Sequence, residues 1–318
     1  MPWLLPSLAI AGGFVALLWG ADRFVLGAAV TARNLGVSPL LVGLTVVGFG
    51  TSAPELLVSA IAAYRGATGL SIGNALGSNI TNIALVIGAT AVVAPLPVSR
   101  EILGRQLPVL IVVMLVATAL LSDGWLDVTD GALLLGGLVA ALSWVVWRGL
   151  RERQAPELET SPGTLSTARA LSWLTLGLVT LLASSETLVW GARTFAAAAG
   201  VSEGVIGLTV VAFGTSLPEL AATLVAARRS EHDIAVGNVV GSNLFNLLGV
   251  LGLPGVIAPG PCEENLWRFD APAMIGVTGL LWILARLFPP RGRLSRGQGA
   301  LLVACYALYI GALALGAH

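Results

Sequence analysis

The chain has 318 residues, of which 56% are hydrophobic and only 11% charged, where a soluble domain carries about 25% charged residues. Its mean hydropathy is +0.88, which excludes a soluble globular domain and predicts an integral membrane protein. The formal net charge is +0 and every cationic residue is an arginine; no basic face is visible, so no nucleic-acid partner is expected.

A spanning helix needs about 20 apolar residues. Ten segments of that kind follow one another, near residues 4–32, 38–64, 70–94, 107–122, 128–148, 170–198, 202–228, 233–258, 269–288 and 297–316. The N-terminus has no basic region and no small-residue cleavage site, so it reads as the first span and not as a removable signal. The one long polar connector is Arg148–Arg169, containing RERQAPELETSPGT. It divides the chain into a first half, 1–149, a linker, 150–168, and a second half, 169–318. Five spans in each half make the second half enter the membrane from the opposite side, as an inverted repeat. The predicted fold class is therefore all-α integral membrane, with ten transmembrane helices as two inverted five-helix repeats.

Arginine placement bears on orientation. Thirteen arginines fall on one side of this arrangement (33, 100, 105, 148, 151, 153, 169, 228, 229, 286, 291, 293 and 296), and two, Arg65 and Arg268, on the other. The positive-inside rule makes the first side cytoplasmic and puts both termini outside; Asp123, Asp127 and Asp130 then lie on the outer side. Trp3, Trp19, Trp125, Trp173 and Trp267 read as interface anchors. Cys262 and Cys305 fit no metal spacing and read as ordinary helix residues. Asp22, Arg23 and Arg193 read either as gate charges or as snorkelling groups at helix ends. Glu186 aligns with Asp22.

The chain carries one signature twice. Residues 43–56 read GLTVVGFGTSAPEL and residues 207–220 read GLTVVAFGTSLPEL; each is followed by a second block, Ser71–Asn82 (SIGNALGSNITN) and Ala235–Asn246 (AVGNVVGSNLFN). The offset is 164 throughout (219 minus 55, 246 minus 82), and about half of the positions between Gly36/Gly200 and Gly88/Gly252 are identical.

Pro54 and Pro218 sit mid-membrane beside Gly50 and Gly214. Proline removes a helical hydrogen bond and clashes with the preceding turn, so the second and seventh segments are expected to break there. Broken backbone survives at that depth only where it is buried or lines a cavity. Freed carbonyls, Thr and Ser hydroxyls and a carboxylate are hard oxygen donors suited to Na+ or Ca2+. A charge at the centre of a bilayer costs roughly 2.5–3.5 kcal/mol on insertion scales, yet Glu55 and Glu219 occur at the same place in both copies. As a purely structural pair they repel one another, whereas a divalent cation between them neutralises both. Ser78 and Asn82 share a helix face four residues apart, as do Ser242 and Asn246; all four are expected to coordinate an ion. Asn74, Asn79, Asn238 and Asn243 either do the same or merely bridge helices.

Taken as pairs, GTSAPE with GNALGSNITN and GTSLPE with GNVVGSNLFN closely resemble the two α-repeats of the cation/calcium antiporters, the sodium/calcium exchanger superfamily. The resemblance covers essentially the whole chain. It implies exchange of Na+ for Ca2+ by alternating access, with calcium centred on Glu55 and Glu219. It implies sodium sites around them built from Thr51, Ser52, Ser78 and Asn82, from Thr215, Ser216, Ser242 and Asn246, and from the carbonyls of Gly48 and Ala212. It also implies that the first and sixth helices slide together against the other eight; Gly20, Gly27 and Gly191 are compatible with that. Asn246 departs from microbial and potassium-dependent relatives that carry Asp there, so the resemblance implies no potassium co-transport. The remaining alternatives are an H+/Ca2+ antiporter on the same scaffold and a cation channel. No Ser–Lys or Ser–His pair, HExxH motif or nucleotide loop is visible, so no enzyme activity or cofactor is expected. The expected partners are the two ions and membrane lipid, with no obligate protein partner, in the cell (inner) membrane.

Overall fold

The computed structural model describes residues 3–151, 165–199, 212–289 and 291–315. Most of the expected linker, the start of the seventh segment (200–211) and the C-terminal residues 316–318 lie outside the described residues.

The described residues form helices joined by short turns. α1 spans Leu4–Leu35 and ends on Gly36, which takes the left-handed conformation (φ 64°) and caps the carbonyls of Ala32 and Arg33; glycine is favoured there because it has no Cβ to clash. α2 (Pro39–Thr51) starts with Ser38, whose hydroxyl accepts the Leu41 N–H, and with proline in its first turn, where no amide hydrogen is needed. α3 (Ala53–Tyr64) follows after a bend of 46°. Next come α4 (Thr68–Val93), α5 (Ile102–Leu121), α6 (Val128–Arg151) and α7 (Thr167–Ala198). α8 (Ala212–Thr215), α9 (Leu217–Arg228), α10 (His232–Ile257), α11 (Leu266–Leu287) and α12 (Arg296–Ala314) complete the chain. Eight of these helices are long and apolar enough to cross a membrane, and the bent pair α2–α3 makes a ninth span among the described residues. Cys305 lies in α12. Cys262, expected in a helix, instead follows a short strand in the turn before α11, and both thiols are free.

The duplication is visible in the backbone. α3 and α9 are displaced by 164 residues, as are the wide helical turns Ile102–Gln106 and Leu266–Asp270 and the segments Gly88–Val93 and Gly252–Ile257. So are two short strands, β1 (Leu96–Pro97) and β3 (Gly260–Pro261). The pairing of strands fixes direction. β1 pairs antiparallel with β4 (Arg293–Leu294), and β2 (Trp125–Leu126) with β3. Since α5 separates β1 from β2, and α11 separates β3 from β4, the two small sheets lie at opposite ends of the helical body. Equivalent strands of the two halves therefore sit at opposite ends.

One end carries β1 and β4 with their arginines. Arg33, in the last turn of α1, binds Glu231 at 2.8 Å, and Asn34 reaches Thr167 at 3.2 Å, so the start of α7 and the α9–α10 turn are also at this arginine end. The other end carries β2, β3 and the aspartates 123 and 127; there Thr68 donates to the Ala258 carbonyl at 2.8 Å.

α10 is the axis of the fold, its most apolar 18-residue window entirely buried; α4 is next, at 72%. α1 and α7 form a separate two-helix blade. A Cβ at Gly20 would lie 2.8 Å from the Leu181 amide, and one at Gly177 would meet the Phe24 backbone. Small residues let the two backbones touch, which is how helices associate in lipid.

The turn after α9 contains Ser230 at φ 62°, the one non-glycine with positive φ among the described residues; its equivalent in the first half is Gly66, φ 74°. A left-handed L-residue costs roughly 1–2 kcal/mol. Ser230→Gly is therefore expected to stabilise the protein by about 1 kcal/mol after allowing for the freer unfolded chain, read as a higher thermal midpoint in detergent. An unchanged midpoint would show that the turn is not strained.

Candidate ion-binding site

The break between α2 and α3 falls at Ser52 (φ −82°, ψ 4°), and that between α8 and α9 at Ser216 (φ −89°, ψ 5°). Pro54 and Pro218 thus stand in the first turn of the new helix, two residues beyond the break, where proline is tolerated. Neither can donate a hydrogen bond back to Gly50 or Gly214. The Gly214 carbonyl instead accepts Ser185 of α7 at 3.1 Å.

The breaks put Glu55 and Glu219 in the first turns of α3 and α9, at helix ends whose dipoles favour negative charge. Both side chains are completely buried and near enough for their charges to interact. Ser52 donates to Glu219 Oε1 at 3.3 Å, and the Thr51 and Ser242 hydroxyls also face this carboxylate. Ser242 donates to the Gly48 carbonyl at 3.2 Å and lies 3.2 Å from Thr51 Oγ1. Hydroxyls of one repeat thereby meet the carboxylate and backbone of the other.

The unfilled donor atoms are the most informative feature. Both carboxylate oxygens of Glu55, Oε2 of Glu219, the Ser216 hydroxyl and the whole amides of Asn82 and Asn246 are buried without a hydrogen-bond partner. An unpartnered buried polar group costs roughly 2–7 kcal/mol depending on the reference state. Asn82 lies in the wide turn Thr81–Ile87, which packs against α9, and Asn246 opens the wide turn Asn246–Val250, which packs against α3. Each asparagine is thus carried to the helix bearing the opposite repeat's glutamate. Extra residues in a helical turn are a recurrent device at functional sites.

Ser78 is buried one turn before Asn82 on α4. Thr215 closes α8 and is half-buried. Ala212 opens α8, at the place that Gly48 holds in the first half. Among the described residues no three acidic, His or Cys side chains gather in one group, so the carboxylate charge of this centre is that of Glu55 and Glu219. Such an oxygen-rich set with two carboxylates matches one divalent cation in charge.

Asn238 and Asn74, left open by the sequence, act on the glutamates through the backbone. Asn74 donates to the Glu55 carbonyl at 3.2 Å and Asn238 to the Glu219 carbonyl at 3.4 Å. Asn238 also accepts from Thr51 at 3.0 Å and donates to Thr223 at 2.9 Å. Thr223 was not singled out from the sequence. Its signal was a second hydroxyl, Ser59, at the equivalent position of α3; Ser59 instead donates to the Val250 carbonyl at 2.8 Å. Asn79 holds the Ala75 carbonyl at 2.7 Å through its Nδ2, and the Asn243 amide is buried with no partner.

Comparison with known proteins gives the family and the fold. The sodium/calcium exchanger protein family matches residues 6–147 and 169–315. CaxA of Alkalimonas amylolytica is 44% identical over 311 residues, covering 96% of this chain and 98% of that protein. The inner membrane protein YrbG of Escherichia coli is 37% identical over 318 residues, with 98% and 97% covered. The structure of the sodium-calcium exchanger NCX_Mj soaked with Na+ and Ca2+ superimposes with a TM-score of 0.83 at 36% identity, covering 98% of each chain. A duplicated, buried carboxylate pair in an apolar helical body, and a family match spanning both halves, make this chain a multi-pass membrane protein of the sodium/calcium exchanger family.

Proposed function

We propose that the protein is a secondary antiporter that exchanges Na+ for Ca2+ across the cell membrane by alternating access, holding its ions midway between the two repeats. The observation that carries this reading is the pair Glu55 and Glu219, fully buried, with three of their four carboxylate oxygens unpartnered. Ca2+ would sit between the carboxylates and take further oxygens from Thr51, Thr215 and the nearby backbone. Na+ would use the same carboxylates with Ser52, Ser78, Asn82 and the Gly48 carbonyl, and with Ser216, Ser242, Asn246 and the Ala212 carbonyl. Because the donor sets overlap, the two ions compete. An empty site leaves two carboxylates in a region without bulk water and resists passage through the closed state; a filled one is neutral and passes.

The opposite placement of β1 and β3 supports two inverted five-helix halves and ten spans. The arginines that the sequence groups on one side support a cytoplasmic arginine end and external termini. Access differs between the ends. Pro54, Asn74 and Thr215, on the aspartate side of the breaks, are half-buried, whereas their equivalents Pro218, Asn238 and Thr51 are buried. This fits a state open towards the aspartate end and closed towards the arginine end.

Radiolabelled Ca2+ uptake into proteoliposomes tests the reading. Uptake that requires internal Na+ and ignores K+ is expected. Uptake driven by a pH gradient alone would move the protein to H+/Ca2+ exchange on the same scaffold, and conduction without a counter-ion would make it a channel.

Asn238 positions Glu219 and Thr51 without touching the ion. Asn238→Ala is expected to lower Ca2+ affinity roughly ten-fold, the loss of one or two hydrogen bonds at about 1 kcal/mol each. Calorimetric titration of the purified protein measures this; an unchanged affinity would assign Asn238 to helix bridging alone.

A further inference from the structure

The two-helix blade touches the rest of the protein asymmetrically. α1 lies along α9, whereas the equivalent pair, α7 and α3, makes few contacts. Where α1 is docked, Arg229 donates to Asp22 through Nε at 2.8 Å. Arg23, the sequence neighbour of Asp22, stacks over Trp173 at 4.8 Å and keeps a longer contact, 3.9 Å, to the other carboxylate oxygen of Asp22. The 164-residue offset converts Asp22 into Glu186 and Arg229 into Arg65. Both charge types are kept, on the same helices of the other half. Among the described residues Glu186 and Arg65 are exposed and form no ion pair.

We propose that Asp22–Arg229 and Glu186–Arg65 are alternate latches, one made and the other broken in each state of the transporter. The inference rests on the alternating-access reading above. In the state open at the aspartate end, Asp22–Arg229 fastens α1 to α9 and seals the arginine end. When the blade shifts, this pair parts and Glu186 on α7 reaches Arg65 at the end of α3, sealing the aspartate end. The inverted repeat supplies the logic: the two halves exchange conformations, so a contact made by one half in one state is made by the other half in the next. The second pair at the arginine end, Arg33–Glu231, has alanines, Ala197 and Ala67, at the equivalent positions. That extra pair biases the empty protein towards closure at the arginine end.

Asp22 and Arg229 are each about a third exposed, so the latch biases a population and does not lock it. Hydrogen–deuterium exchange of the full chain in lipid nanodiscs, without Ca2+, reads that population. Asp22→Asn and Arg229→Gln are expected to raise exchange in His232–Phe245, the arginine-end part of α10. They should lower it in Thr68–Ile80, the aspartate-end part of α4. Each change should be about two- to five-fold, the range an ion pair of this exposure supports. Glu186→Gln and Arg65→Gln should move both segments the opposite way, and the swap Asp22→Arg with Arg229→Asp should restore the parent pattern. Ca2+ titration of the same samples separates two failures. Unchanged exchange in an Asp22→Asn protein that still binds Ca2+, or a Glu186→Gln shift in the same direction as Asp22→Asn, overturns the latches alone. A parent chain that binds no Ca2+ overturns the transporter reading and the latches with it.

Discussion

Glutamine at position 55 or 219 is expected to cut Na+-dependent Ca2+ uptake by about 100-fold while leaving the protein folded. The substitution keeps the size of the side chain and removes one negative charge. Ca2+ then carries a residual positive charge at a depth where an uncompensated charge costs roughly 2.5–3.5 kcal/mol, and each 1.36 kcal/mol is a factor of ten. Folding should not suffer. Both carboxylates are buried with unfilled oxygens, so neutralising one relieves the empty protein. The thermal midpoint without ions should stay or rise, and the upward shift that Ca2+ gives the parent protein should vanish. Uptake at the parent rate in either variant would remove the carboxylate pair from the mechanism.

Valine at position 241 is expected to have the second-largest effect. A Cβ there would strike the backbone carbonyl of Leu44, and backbone cannot swing aside as a side chain does. α10 and α2 must part, and the contacts Ser242–Gly48 and Thr51–Ser242, both 3.2 Å, open with them. Overpacking of this kind costs about 1–3 kcal/mol, and uptake should fall at least ten-fold. The repeat provides its own control. Gly77, the equivalent residue of α4, has nothing within 4 Å of its Cβ position. Gly77→Val should therefore leave the thermal midpoint where it is. Equal destabilisation by both substitutions would show that close approach at Gly241 is not what matters there.

That contrast shows what the sequence could and could not reveal. Gly77 and Gly241 are indistinguishable in their motifs, because a repeat carries the chemistry of a position and not its surroundings in one state. Local chemistry was legible. Gly-Thr-Ser-x-Pro-Glu announced a helix break beside a carboxylate, and the chain breaks at Ser52 and Ser216 with both glutamates buried. The arrangement of ends was legible too, since alternating spans and arginine positions already grouped Arg33 with the α9–α10 turn. What depended on tertiary contact was not. The strand pairs Leu96–Leu294 and Trp125–Pro261 join residues about 136 to 198 positions apart through two-residue strands too short to leave a pattern. The wide turns at Thr81–Ile87 and Asn246–Val250 pack against the opposite repeat, and the apolar period does not announce them. Asp22 reads from the sequence as either a gate charge or a snorkelling group, and its partner Arg229, 207 residues away, is not legible there.

One cation held between the repeats is the centre of the proposed mechanism. Crystals of the protein soaked in Ca2+ and measured at a wavelength where calcium scatters anomalously locate that ion directly. An anomalous peak is expected within about 2.3–2.6 Å of carboxylate oxygens from both Glu55 and Glu219, weakened as Na+ is raised. An ordered Ca2+ bound elsewhere, with the space between these two glutamates free of anomalous density at saturating Ca2+, would contradict it.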